Sequence, residues 1–362
     1  MNKAATLFLD AVSKYKSIAI YIPGSPDPDA IASAYALKLM LKHLDIDADI
    51  FAERRLSLSQ NQAFIDRLDI PVYFGKEVNP KKYQAYIVPD FQNNRVESIG
   101  DKIPCAAHID HHSKSKKAVK ADFSLIRPDA GSTSTLVALL AKNLDIDFSE
   151  QAMAAMATAL TFGIQTDTDS YNNITSLDLK ALDFLMKFTD ASILQGISSI
   201  PLSSDTLLYY NKAKKNEFAY KDWAFYGIGF IDSKNRDSIA ISADMILKNS
   251  NYNTVAVFAV IENHRKGEMY LDVSLRSKSG SVDLNRIVKQ ITSNGGGRKY
   301  KAAYQVKLDY FLNAPDRDML WNVIEATTFE TLLRSRENFY ITGIKSLYNH
   351  VKEKIVSTFK KE

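Results

Sequence analysis

Asp110-His111-His112 closes an apolar run that extends from Cys105 to Ile109. Asp27 and Asp29 flank Pro28 in one loop, Asp90 follows Pro89, and Asp167 stands in Gly163-Ile164-Gln165-Thr166-Asp167-Thr168. Each lies where an apolar or helical pattern gives way to a turn. Carboxylates with an imidazole are what a hydrolase working with two metal ions requires. Ions roughly 3.5–4 Å apart share a bridging water, lower its pKa and stabilise in-line displacement at phosphorus. Asp27 and Asp29, two residues apart in extended backbone, can face the same way and serve different ions. Such a donor set suits Mn²⁺ first, then Mg²⁺, Fe or Zn. Taken singly, an Asp after a strand is ordinarily a helix cap or turn residue, and a His-His pair on a loop is ordinarily solvated. Recurrence of acidic loops at successive strand and helix ends points instead to one site.

These positions need a scaffold. Ser17 to Ile22, Ala48 to Phe51, Tyr83 to Val88 and Cys105 to Ile109 read as short buried strands. Helical spacing covers about Ala30 to Leu44, Ser132 to Lys142, Glu150 to Phe162 and Ser176 to Met186. The alternation predicts an α/β domain with a mostly parallel sheet and helices on both faces, over residues 1–190. In such sheets sites form at the carboxyl ends of the strands. Small and polar residues thicken over 191–204, which reads as a linker. A smaller αβ domain is expected over 205–312. Its helices run from Asp205 to about Lys215, Ser238 to Leu247 and Asp283 to Thr292. Its strands are Trp223 to Phe230, Thr254 to Ile261, Met269 to Arg276 and Ala302 to Leu308. A helical C-terminal extension is expected over 313–362. It ends in Phe359-Lys360-Lys361-Glu362, a solvated helix end that suits the helix dipole.

The 362 residues suit two domains plus an extension. A net charge of +4 neither demands nor excludes nucleic acid, and phosphate would be attracted only by clusters such as Lys114, Lys116, Lys117 and Lys120. The single cysteine, Cys105, rules out an intrachain disulfide and a cysteine-based zinc site, and a cytoplasmic setting is expected. The N-terminal segment lacks the pattern of a signal peptide. No apolar run approaches the roughly 18 residues of a membrane span, so no membrane partner is expected.

Four stretches together resemble the DHH phosphoesterase superfamily, in the branch with a C-terminal DHH-associated domain. They are Ser25-Pro26-Asp27-Pro28-Asp29-Ala30-Ile31-Ala32-Ser33, Ile109-Asp110-His111-His112, Gly163 to Thr168, and Gly295-Gly296-Gly297 with Ala302-Ala303 after it. Val273-Ser274-Leu275-Arg276-Ser277 resembles the strand that precedes the glycine run in such proteins. The resemblance spans about Ser17 to Leu308. It implies that Asp27, Asp29, Asp90, His111 and Asp167 bind metal, with Asp90 bridging two Mn²⁺ ions. Asp110 would be a further ligand or orient the site, and His112 would act on the phosphate side. Gly295, Gly296 and Gly297 would bring backbone N–H groups close to a phosphate or base, and Arg276 would grip a phosphate.

The chain departs from the family pattern at several positions. Pro23 stands where the first motif usually has His, and His108 could share the Asp110 strand face. Arg298 or Lys299 takes the place of the His that usually follows the glycines. Asp169 and Tyr304 occupy positions where glycine is common. The resemblance implies a metal-dependent phosphoesterase for short nucleotides: a linear dinucleotide or nanoRNA, a cyclic dinucleotide, or 3′-phosphoadenosine 5′-phosphate. The domains would close around the substrate, and a homodimer is expected. A nucleotide-binding sensor that has lost turnover is the alternative, and a pyrophosphatase ranks behind it.

Overall fold

The computed structural model describes residues 2–337, apart from 25, 55, 57, 92–95, 97–98, 113–118, 145, 264–266, 279–281 and 294. Lys114, Lys116 and Lys117, Ser25 of the first motif, Asn294 before the glycine run and the Lys-rich end of the chain lie outside the described residues. The chain divides into two compact units between Pro201 and Leu202.

The first unit runs α1 (Asn2–Val12), β1 (Ser17–Ile22), α2 (Pro28–His43), β2 (Asp47–Ala52), α3 (Ser59–Arg67), β3 (Val72–Phe74), β4 (Ala85–Pro89), β5 (Cys105–Asp110), β6 (Ala121–Ile126), α4 (Thr133–Asn143), α5 (Glu150–Asp167), α6 (Ser176–Leu185) and α7 (Ala191–Ser198). Six parallel strands form one sheet in the order β3-β2-β1-β4-β5-β6. Strand side chains alternate between faces. Ile18, Ile20 and Ile22 of β1 join the helices in one core, and Ala19 and Tyr21 join a second core with Val78, Tyr83, Val96 and Ile99 from the connecting segments. The strand order reverses between β1 and β4. A crevice outside the carboxyl ends of the strands opens at such a reversal. The loop to Asp27, Asp90, and Asp110 to His112 all emerge at that edge.

Several elements differ from the sequence expectation. Helix α5 does not stop at Phe162 but continues to Asp167. Gly163 looks like a stop, yet it is an interior residue where α5 packs tightly: a Cβ there would lie 2.2 Å from Ser134 Oγ and 3.1 Å from Ala32 Cβ. The expected linker over 191–204 is largely helix α7, which Asp190 caps and whose Ile197 is buried in the first core. Helix α3 and strands β3 and β6 were not expected. Strand β3 has only three residues, and β3 and β6 are edge strands with a weaker apolar signature.

The second unit runs α8 (Ser204–Lys215), β7 (Glu217–Tyr220), β8 (Trp223–Asp232), α9 (Ser238–Lys248), β9 (Thr254–Asn263), β10 (Glu268–Ser277), α10 (Leu284–Ile291), β11 (Gly296–Gly297), β12 (Lys301–Lys307) and α11 (317–337). Its sheet has the order β11-β12-β10-β9-β8-β7; β8 and β9 pair parallel and the other pairs are antiparallel. Helix α11 is not an appendage. Leu320, Ile324 and Leu332 are buried in one core with Phe258, Leu271 and Leu275 of the sheet.

Candidate metal centre

Five side chains meet at the carboxyl edge of the first sheet. Asp90, His111 and His112 form one group of donor atoms within 4.8 Å of one another, and Asp29, His111 and Asp167 form a second. His111 Nε2 lies 3.0 Å from Asp167 Oδ2 and 3.5 Å from Asp90 Oδ1, and His112 Nδ1 lies 3.4 Å from Asp90 Oδ1. Asp27 belongs to neither group. It is exposed, and its Oδ1 accepts the Ala30 N–H at 2.9 Å as the N-cap of α2. Asp110 is also outside both groups: its Oδ1 accepts the His112 backbone N–H at 3.1 Å and bonds His112 Nδ1 at 2.8 Å. It is therefore placed to orient His112.

Local backbone explains each placement. Pro28 at the first position of α2 pre-sets the helical φ, and Asp29 follows on the buried side. Asp90 has φ +54, which turns its side chain back across the strand ends; Asp tolerates this region better than most residues. Asp169, Ser170 and Tyr171 form a left-handed run directly after α5, with φ of 57, 54 and 69. That accounts for glycine being the cheaper choice at Asp169. His108 is set apart from the donor groups: its Nε2 bonds Phe91 O at 2.7 Å, a structural tie within the sheet.

Sequence reasoning missed the segment that closes the site from the helix side. Asp29 Oδ2 and Oδ1 accept the backbone N–H groups of Thr133 and Ser134 at 2.7 and 2.8 Å. Thr133 Oγ1 donates to Asp90 Oδ1 at 3.0 Å. Ser132-Thr133-Ser134-Thr135 looks like an ordinary helix start, with Ser132 as the cap.

The donor set fits a divalent cation on three physical grounds. His111 Nδ1 bonds the carbonyl of Ala130 at 3.3 Å. A carbonyl only accepts, so Nδ1 carries a proton and Nε2 is the ring atom turned toward two carboxylates. A cation between them would be ligated by Nε2 and the carboxylate oxygens together. Asp167, secondly, is the last residue of an 18-residue helix, the end where the helix dipole favours positive charge. Thirdly, burial pushes the Asp29 carboxyl well above the usual range, and the nearby charges of Asp90, Asp167 and Asp27 push it further, against a lowering bond from Ser134. Asp110 goes the other way. Burial alone would raise it, but its bond to the His112 side chain, the charge of that ring and the His112 N–H together hold it below the usual range.

In the second unit Arg276 is already engaged. Its Nε donates to Asp244 Oδ1 at 2.6 Å, and its Nη1 donates to Ser274 Oγ and Leu275 O at 3.2 and 3.1 Å. The glycine run has a packing role. A Cβ at Gly295 would lie 2.2 Å from Val288 Cγ1, and one at Gly297 2.3 Å from Lys301 O, whereas Gly296 faces open space. Gly296 and Gly297 form β11 against Ala303 and Ala302. Arg298 donates its backbone N–H to Lys301 O at 2.6 Å, and Lys299 is exposed. On the same face of β10 as Arg276, Arg236 Nε and Gln305 Nε2 both donate to buried Asp272 Oδ2.

Residues 17–164 match the DHH family, N-terminal domain, and residues 224–319 match the DHHA1 domain. The chain is a member of the DHH phosphoesterase superfamily, with a DHH domain followed by a DHHA1 domain. It is 31% identical over 304 residues to Uncharacterized protein MJ1633 of Methanocaldococcus jannaschii, covering 83% of this chain and 60% of that protein. It is 28% identical over 168 residues to Uncharacterized protein MJ0988 of the same organism, covering 44% of this chain and 48% of that one. The chain thus spans about half to three fifths of the length of these relatives. In solved structures, an exopolyphosphatase-related protein from Bacteroides fragilis shares the fold with a TM-score of 0.65 and 17% identity, over 93% of this chain and 98% of that one. Among the described residues no helix is long and apolar enough to cross a membrane.

Proposed function

We propose that this chain is a metal-dependent phosphoesterase that hydrolyses short nucleotides, with two Mn²⁺ ions held by Asp29, Asp90, His111 and Asp167. The observation that carries the reading is the convergence of these side chains at the strand-order reversal, with His111 Nε2 facing two carboxylates. Bound cations would supply a lowered pKa for the attacking water and charge neutralisation at phosphorus. The protein's own residues prepare the geometry. Thr133 and Ser134 lock Asp29 and Asp90 in place, and the Ala130 carbonyl fixes the His111 tautomer. Asp110 orients His112, whose ring serves the phosphoryl side. In the second unit Gly296, Arg298 and Lys299 remain the proposed contacts to base or phosphate, and Arg276 joins them by leaving Asp244. Asp27 is proposed as an outer ligand that leaves its capping role when metal binds.

Purified protein with Mn²⁺ should hydrolyse one member of a panel of a linear dinucleotide, cyclic di-AMP, 3′-phosphoadenosine 5′-phosphate and pyrophosphate, and Asp90→Ala should abolish it. Turnover of pyrophosphate alone would replace nucleotides by a pyrophosphatase reading. One observation favours the sensor alternative: the Arg276 fork is spent on Asp244. Tight nucleotide and metal binding with no turnover of any panel member would establish it.

A further inference from the structure

Asp178 is a fully buried carboxyl group outside both donor groups. It is the third residue of α6, where its backbone N–H and side chain close a capping box with Thr175. A capping box needs one acceptor oxygen from that side chain, and Thr175 N–H takes Oδ2 at 2.7 Å. The other oxygen serves a different element. Asp178 Oδ1 accepts the Gly131 N–H at 2.9 Å and the Thr135 hydroxyl at 2.6 Å. Both donors belong to the segment that opens α4.

That segment has two sides. Ala130 O, Thr133 and Ser134 touch His111, Asp29 and Asp90. Gly131 and Thr135, interleaved with them, face Asp178. Three donor residues of the metal centre thus lean on a strip of backbone whose reverse side is pinned by one carboxyl group. Space as well as bonding ties the two together: a Cβ at Gly131 would lie 2.2 Å from Asp178 Oδ2 and 2.7 Å from Thr168 Cγ2, and Thr168 follows Asp167. Glycine at 131 lets the carboxyl group come close enough to bond its N–H.

We infer that Asp178 is a positioning residue for the metal centre: through Gly131 and Thr135 it holds the start of α4 in the register that presents Thr133 and Ser134 to Asp29 and Asp90. The inference rests on the metal-binding reading above and deepens it. Groups hydrogen-bonded directly to metal ligands ordinarily affect metal affinity by about ten- to a hundredfold; Asp178 acts one layer further out, which sets the expectation at about the lower end of that range.

The test uses the full chain and Mn²⁺ alone, titrated by calorimetry, with thermal melts of the same samples in chelator. Asp178→Ala and Thr135→Val break the link to α4, Gly131→Ala displaces it sterically, and Thr175→Ala removes only the side-chain cap of α6. The expected result is Mn²⁺ binding about tenfold or more weaker in the first three variants and unchanged in Thr175→Ala, even where the melting temperatures of Thr135→Val and Thr175→Ala fall by the same amount. Hydrogen exchange across residues 131–135 in metal-free protein should accelerate in Thr135→Val and stay slow in Thr175→Ala. Equal Mn²⁺ affinity in wild type, Asp178→Ala and Thr135→Val would overturn the inference and leave the metal reading standing. So would equal weakening in all four variants, since that assigns Asp178 to fold stability alone. Absence of Mn²⁺ binding by wild type would end the metal reading itself, and the positioning role with it.

Discussion

Asp29 accepts two backbone N–H bonds while three other carboxylates crowd it, so its protonation state depends on whether a cation is present. In the metal-free fold its pKa is raised, so the folded chain holds a proton that the unfolded chain has released. Stability then falls as pH rises from the ordinary carboxylate range through the elevated pKa. Asp110 has the opposite sign: its lowered pKa contributes stability above the ordinary range that is lost as pH falls through the folded-state value. Urea melts in chelator across about pH 4 to 8 should show the first trend, and Mn²⁺ should flatten it. A second expectation isolates the repulsion. Asp167→Asn removes one of the charges facing Asp29 and the carboxylate at the end of α5. It should bring the raised pKa of Asp29 down, read as a shallower fall of metal-free stability with pH in the same urea melts, while weakening Mn²⁺ binding. An unchanged pH slope would count against like-charge crowding. The acids and histidines that meet here were legible because each interrupts an apolar or helical pattern. Thr133, Ser134 and Asp178 were not, since Ser, Thr and Asp at helix starts have a sufficient local explanation as caps.

Helix α5 brings Asp167 to the centre by close approach. Gly163 lies one turn before Asp167, on the same side of the helix, and its missing Cβ leaves room for Ser134 and Ala32. Gly163→Ala should therefore destabilise the first unit by about 1–3 kcal/mol, although alanine is the better helix former, and should also weaken Mn²⁺ binding. Chemical denaturation and metal titration of the one variant check both. A neutral or stabilising outcome would show that α5 can shift without consequence. At this scale the sequence conveyed strands with long apolar runs, such as β1, β5 and β9, and helices with apolar residues at helical spacing, such as α2 and α4. It concealed α7 and ended α5 early, because a glycine and a stretch of small residues carry the same local signal in a loop and in a tightly packed helix.

The two units were legible as two αβ patterns, but the role of the C-terminal helix was not. Periodicity shows that a segment is helical without showing what its apolar side meets. Helix α11 lies almost wholly beyond the DHHA1 match that ends at residue 319, yet Leu320, Ile324 and Leu332 are buried in the sheet's core. A chain ending at residue 316 should lose cooperative folding of the second unit, since each buried Leu or Ile removed costs about 2–5 kcal/mol. Limited proteolysis should then degrade residues 202–316 and spare the first unit. Survival of both units would place the helix outside the folding core.

The donor residues come from loops and helix ends far apart in the chain; Asp29 and Thr133, in direct contact, are separated by 104 positions. Parallel strands close only after long intervening loops have been ordered, so the cluster cannot exist early on the folding route. A cation bound to it would act on the descent from the native state rather than the climb toward it. Saturating Mn²⁺ should leave the refolding rate nearly unchanged and slow unfolding by the full ratio that binding adds to stability. The chain would then hold its metal kinetically, and escape of the ion would be timed by opening at the strand ends.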